Sequence, residues 1–347
     1  MRPLRRAVPR DRTASTEMNL PAMPPTTRRQ VLSWGLAAAA VAGGVFGQAC
    51  ARQGRLGVGV QTWAGFQFLT LADRRGWYVD HPLELRRFES ADAIATALSE
   101  GSIDAATLTL DEAIRLRSQV ADLQVALVCD VSAGADVVLA RPDVGTLAGL
   151  RGRRLGVEGT ALGALMLAET LHAAGLGAGD VQVVQIEEDH YRAWHRGGLD
   201  AVLTYGYSAE RLQQERLVAL ADSRKLRQVI LDVLVVRRSR GAAHRRALRT
   251  LIDGHFRALN LWRQNPIDAS YELAPLLETR PEDVGAVYKG LDLPDVASNR
   301  RWLEPPATGL AETARHVAQV LVAAGWLERV PDLGDLFTAA YLPQTRQ

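Results

Sequence analysis

Apolar side chains recur along this chain with two alternating periods, and the switches between them lay out its elements. From Arg55 onward, β-type runs at 56–60, 83–88, 104–108, 123–129, 137–140, 154–158, 181–186 and 202–203 alternate with helical patterns at 68–76, 91–98, 111–119, 161–174 and 191–196. Gly76, Gly101 and Gly175 stand where three of those helices should stop. Strands separated by helices of this length imply βαβ units and mainly parallel sheets. The last long β-branched run, 228–236, is followed by helical patterns at 243–265, 267–277, 281–291 and 313–324, punctuated by Asn265-Pro266, Arg280-Pro281 and Gly325.

Two passages echo each other. Glu100-Gly101-Ser102-Ile103-Asp104-Ala105-Ala106-Thr107 and Gly197-Gly198-Leu199-Asp200-Ala201-Val202-Leu203-Thr204 both end a helix at glycine and open a strand on Asp-Ala. The repeat predicts two lobes built alike. Between the two passages, Ser132, Ala133, Gly134, Ala135 and Asp136 precede the apolar run Val137 to Ala140. Small residues at a strand end admit another backbone or a ligand. The stretch therefore reads either as the crossing between lobes, lining a cleft, or as a tight turn before a core strand.

Ahead of Arg55 the pattern changes. Arg28 and Arg29 precede an Ala/Gly-rich apolar run, 31–46, in the layout of a twin-arginine signal peptide. The run is too short and too rich in glycine for a membrane span. It ends in Gly47-Gln48-Ala49-Cys50, which resembles a lipobox except that Gly47 replaces the usual aliphatic residue. Cys50 is either a lipid-modified first residue or a bystander near a cleavage site. Residues 1–25 lack periodicity, and Met18 and Met23 offer alternative starts. The formal charge of +2 belongs to this leader: it holds seven Arg against Asp11 and Glu17, leaving 34 basic and 37 acidic side chains, a net −3. A near-neutral body has no electrostatic footprint for nucleic acid. With 347 residues, 47% of them hydrophobic, the chain is long enough for about two domains with a sizeable core.

Gln61-Thr62-Trp63-Ala64-Gly65 with Ala72 and Gly76, then Ser90-Ala91-Asp92-Ala93 through Gly101-Ser102-Ile103-Asp104-Ala105-Ala106, then Ser132-Ala133-Gly134-Ala135-Asp136 together resemble the nitrate/sulfonate/taurine-type substrate-binding proteins of ABC transporters. Relatives that recognise aminopyrimidine thiamine precursors share much of this pattern. The resemblance runs from Arg55 to Val236 and more loosely to the end. It implies an α/β, type II periplasmic-binding-protein-like fold of two lobes, each a mainly parallel sheet flanked by helices. The first lobe would comprise 55–135 plus 232–340, the second 136–231, behind a signal segment at 1–50. It further implies an exported, monomeric protein that closes on a small molecule and hands it to an ABC permease, without cofactor, metal or catalytic residue. An exported enzyme or a ligand sensor on the same fold is the alternative.

The candidate ligand contacts each carry a plainer reading. Trp63 follows the first strand and is either a cleft wall or a core aromatic. Ser90, Thr109 and Asp111 stand at helix starts, as caps or as contacts. Ser132, Gly134 and Asp136 belong to the crossing. Glu158, Thr160 and Ala161 lie between a strand and a long helix whose free amides suit an anion. Tyr205 and Tyr207 alternate after a strand, so one faces the cleft, and Tyr205 is favoured. Asp232 interrupts an apolar run and needs a partner: a ligand cation, an arginine or backbone amides. Carboxylates beside aromatic faces favour an amino-bearing or zwitterionic solute over a simple anion. Metal and hydrolase readings find little footing. His190 and His195 are five apart, Cys129 has no histidine nearby in sequence, and neither a Gly-x-Ser-x-Gly elbow nor a P-loop occurs.

Overall fold

Glycines at alternate positions let the first strand be overlaid closely. A side chain at Gly59 would lie 2.8 Å from Ile103 Cδ1 and 3.2 Å from the Phe88 ring, so the bare backbone lets both close over it. In the computed structural model, which describes residues 54–187, 189–226, 229–304 and 308–344, this strand is β1 (Leu56–Val60). The others are β2 (Leu83–Arg87), β3 (Ala105–Thr109), β4 (Leu123–Ser132), β5 (Val137–Ala140), β6 (Arg154–Glu158), β7 (Gln182–Ile186), β8 (Ala201–Thr204), β9 (Val218–Asp222), β10 (Leu231–Arg237) and β11 (Leu291–Asp292). The twin-arginine segment, Cys50 and the alternative starts lie outside the described residues.

Two sheets result, ordered β11-β4-β10-β3-β1-β2 and β7-β6-β8-β5-β9. In the first, β1 to β4 run one way and β10 and β11 return; in the second, β6 to β9 run one way and β5 is reversed. The sheets are thus mixed but mainly parallel. Two of the three reversed strands sit where the chain passes between sheets: β5 enters the second and β10 re-enters the first. Helices cover both sheets, and the Arg245–Gln264 helix packs along Gln67–Arg74.

The sequence echo has a physical counterpart. Asp104 accepts the Gly57 N–H at 3.0 Å, and Asp200 accepts the Arg154 N–H at 2.9 Å. Each carboxylate pins the opening residues of the parallel strand beside it. The passage from β4 to β5 is held from behind: the Gly290 carbonyl accepts the N–H groups of both Ala133, at 2.7 Å, and Ala135, at 3.2 Å. Gly290 has φ 88°, and a Cβ there would lie 2.8 Å from Ala135 N, so glycine is required.

Three elements depart from the sequence reading. β4 continues through Asp130, Val131 and Ser132, where a strand end was expected, because β10 and β11 supply partners on both sides. The helix expected over 281–291 is a 3-10 turn, Pro281–Asp283, and one turn, Val284–Val287, before the chain bends at Gly290 into β11. The stretch after Tyr207 holds β9, and the helix Gly206–Gln213 begins directly after Tyr205. The strand ends at Thr204, so alternation cannot assign Tyr205 and Tyr207 to opposite faces.

Candidate functional site

At the end of β6, the chain turns through Gly159 into the Ala161–Ala174 helix, where the Gly163 N–H donates to the Thr160 hydroxyl at 3.1 Å. Glu158 is the hub of what surrounds this turn. Tyr205 donates its hydroxyl to Glu158 at 2.7 Å, Thr160 lies at 3.4 Å, and His190 Nε2 stands 4.0 Å away. His190 Nδ1 meets the Thr204 hydroxyl at 3.2 Å. Burial lowers the His190 pKa against the opposing pull of Glu158 and Asp189, which favours the neutral ring. Ser208 donates to Asp189 at 2.6 Å, and Asp189 also caps the His190–Arg196 helix through the Arg192 N–H at 3.0 Å. Glu158, Thr160, Asp189, His190, Tyr205 and Ser208 line a cavity of about 540 Å³, with Gln185 and Glu187 on β7 and the turn after it.

Trp63 closes the cavity from the side of the first sheet. Its ring meets Tyr205 edge-on, 80° between planes and 6.3 Å between centroids, and His190 meets Tyr205 at 5.2 Å. Three rings therefore stand around the Glu158 carboxylate. Such walls suit a flat or cationic solute.

Beside Trp63 the first sheet holds a pair of buried carboxyls. Asp130 and Asp232 face each other in register across β4 and β10. Burial raises Asp130 to about 7, opposed by the proximity of the Asp232 carboxyl and the Trp63 indole, and raises Asp232 well above the carboxylate range. Burial likewise lifts Asp111 to about 6, Glu112 to about 7 and Asp136 to about 6. Asp130 sits so close beneath Gly65 that a Cβ there would lie 1.6 Å from its Oδ2.

The candidates from sequence divide accordingly. Trp63, Glu158, Thr160 and Tyr205 line one cavity. Ala161 is buried at the helix start, just past that lining. Ser90 is exposed, its hydroxyl accepting the Ala93 N–H at 3.2 Å, and lies outside the lining. Thr109 forms a capping box with Glu112. Asp111 is fully buried with Oδ2 unpartnered. Ser132 shares a 2.7 Å hydrogen bond with Ser223, which also receives the Gly134 N–H at 2.7 Å; Ser132 in turn receives the Asp136 N–H at 3.3 Å. The partner expected for Asp232 was a cation, an arginine or amides; the structure supplies another carboxyl. Sequence reasoning missed Asp130, Glu112, Gln185, Asp189, His190 and Ser208. Asp130, like Asp232, breaks an apolar run, and that was its available signal. Burial, with Asp130 and Asp232 nearby, pushes the Cys129 thiol up, which opposes a thiolate nucleophile. Among the described residues no cluster of His, Cys, Asp and Glu is arranged to hold a metal ion.

A family model described as NMT1/THI5 like matches residues 63–269, more than half of the chain. The chain belongs to the NMT1/THI5-like family. No curated protein matches this family member. Solved structures do share its fold. The periplasmic aliphatic sulphonate binding protein SsuA from Escherichia coli superposes with a TM-score of 0.67 at 19% identity, covering 85% of this chain and 95% of that one. The periplasmic nitrate-binding protein NrtA from Synechocystis PCC 6803 gives 0.60 at 11%, covering 79% and 82%. The desulfurization enzyme DSZB gives 0.54 at 17%, covering 83% and 97%. Binding proteins and an enzyme thus share the architecture of this NMT1/THI5-like chain, a type II periplasmic-binding-protein-like fold of two mixed-sheet lobes flanked by helices. At these identities the likeness is one of fold, and function rests on the site.

Proposed function

We propose that this protein is the extracytoplasmic solute-binding component of an ABC importer, taking a small molecule between its lobes. The observation that carries the reading is the placement of Trp63 beyond the first sheet and of Glu158, His190 and Tyr205 beyond the second around one cavity. A solute there touches both lobes, so its binding energy favours the closed arrangement. An affinity in the micromolar range, about 8 kcal/mol, suffices for such a role. The fold shared with SsuA and NrtA supports the assignment. The signal segment and Cys50 support export and a lipid anchor beside a membrane permease.

The solute is amino-bearing or zwitterionic rather than a simple anion. Glu158 lines the cavity beside the Trp63 and Tyr205 rings, while Asp111, Asp136 and Asp232 are buried outside its lining and add negative charge nearby. Free amides at the start of the Ala161–Ala174 helix accommodate an anionic end of the same molecule.

Calorimetric titration of the purified chain with 4-aminopyrimidine, benzamidine, taurine and nitrate tests this. The amino probes are expected to bind, and Glu158→Gln to weaken them by about tenfold or more, the loss of one charge-assisted contact. Tight binding of taurine or nitrate, unaffected by Asp136→Asn, would overturn the ligand class.

A further inference from the structure

We propose that Asp130 and Asp232 form a proton-sharing carboxyl pair buried beside Trp63, a wall of the cavity, and that the pair yields its proton to solvent when a cationic solute binds. The solute half of this statement rests on the reading above; the pair itself rests on the strands. β4 carries the chain towards the second lobe and β10 brings it back, and Asp130 and Asp232 are direct cross-strand partners near those two ends.

Written as two carboxylates, the pair would consist only of acceptors. Both Asp130 oxygens are buried, and neither has a donor. The Trp63 indole N–H, itself unpartnered, approaches Asp130 without completing a hydrogen bond. The group in contact with Asp130 is the Asp232 carboxyl, and a proton carried there supplies the missing donor. Two like charges on directly paired residues in a buried site do not both persist. The close fit under Gly65 holds Asp130 in place.

Every element packed around the pair adds acid or nothing. Asp111 and Glu112 open the helix after β3, Asp136 precedes β5, Asp292 lies on β11, Cys129 is the neighbour on β4, and Tyr288 follows the Val284–Val287 turn. Arg115 acts on Asp111 and Glu112 from further along their helix. Among the described residues, neither Lys nor Arg acts on Asp130 or Asp232. Ionising the pair fully thus calls for a positive charge from outside the chain. A cation entering past Trp63 provides it, and the proton leaves for bulk water. For one proton released, affinity rises about tenfold per pH unit while the pair remains protonated.

The test begins without any solute. Carboxyl-13C NMR of the aspartate-labelled full chain, titrated from about pH 4 to about pH 9, spans the free and raised carboxylate ranges. One member of the pair is expected to keep its proton through neutral pH. In Asp232→Asn, whose amide donates to Asp130, the Asp130 midpoint is expected to fall by at least one unit. Both carboxyls ionised in the wild type below about pH 6 would overturn the pair. If Asp232→Asn does not fold, Trp63→Phe provides the second variant, and withdrawal of its N–H is expected to raise the pair's midpoint. Calorimetry with benzamidine in two buffers of different ionisation enthalpy then counts protons: about one released per probe in the wild type and none in Asp232→Asn. Binding without proton release overturns the exchange. No benzamidine binding at any pH overturns both the exchange and the cationic-solute reading, while the NMR titration judges the pair separately.

Discussion

Gly65 and Asp130 show how far one missing Cβ can matter. The carboxyl occupies the space a side chain at 65 would need, with a clash distance of 1.6 Å to Oδ2. Gly65→Ala is expected to destabilise the protein by about 1–3 kcal/mol, the usual cost of overpacking, because the neighbour is a strand side chain with a defined position. In an Asp130→Ala background the same substitution should cost much less, which urea unfolding of the four proteins of the cycle would reveal. His255 presents another case, a polar group packed without hydrogen-bond partners. It lies fully buried against Phe68 and Phe256, both ring nitrogens unpartnered, and burial lowers its pKa to about 3. The unfolded chain therefore binds a proton here that the folded one refuses, so stability is lost as pH falls below about 6.5 towards 3, at up to about 1.4 kcal/mol per unit. His255→Leu is expected to remove that part of the acid sensitivity, as measured by unfolding at pH values across this window.

At the level of elements, the two Asp-Ala strand starts do the same work in different surroundings. Asp104 is the more enclosed, with Arg240 at 2.6 Å, whereas the Arg154 side chain reaches Asp200 at 3.3 Å. Removing either carboxylate leaves a strand N–H without its acceptor. Asp104→Ala is expected to cost about 1–3 kcal/mol and Asp200→Ala less, because water reaches the second site. Thermal unfolding of the two variants checks the ranking. These elements were legible in the sequence because their periods are clean and glycines bound them: β6 and the Ala161–Ala174 helix fall where the pattern puts them. β9 was not, since Val218 and Ala219 are exposed on an edge strand and carry no alternation. The cavity was half legible. Trp63, Thr160 and Tyr205 each follow a strand and Glu158 ends one, which is a local signal, whereas Asp130 acquires its meaning from Asp232 across a pairing that forms only after the whole second lobe has been threaded.

The whole molecule has an unusual acid balance. Asp111, Glu112, Asp130, Asp136 and Asp232 all hold protons more tightly when folded than free in an unfolded chain. Raised folded values mean that stability increases as pH falls through about 7 towards about 4. His255 acts in the other direction over part of that range. Asp200 and Asp222, lowered by hydrogen bonds from Arg154 and Arg224, lose their contribution only below about pH 4. His190 and His244, also lowered by burial, oppose in the same sense as His255, and the five carboxyls outweigh the three histidines, so the ligand-free protein is expected to melt higher near pH 5.5 than near pH 8, then lower again in stronger acid. A flat profile between those two points would contradict this set of buried, protonated carboxyls. A bound cation should reverse the trend, raising the melting temperature most on the alkaline side.

β10 lies in the first sheet between β3 and β4, yet it is made after the whole of the second sheet. Until residue 237 has been synthesised, β3 and β4 each present an open hydrogen-bonding edge, and the lobe that begins first must finish last. The second sheet draws on one continuous stretch, from β5 to β9, and can assemble meanwhile. Pulse-labelled hydrogen exchange during refolding should therefore protect the amides of β6 and β8 before those of β3 and β4. Simultaneous protection would mean that the returning strand docks before its own neighbours are ordered. The chain acts as its own clasp: the strand that completes the first sheet arrives only when the whole of the second has already been made.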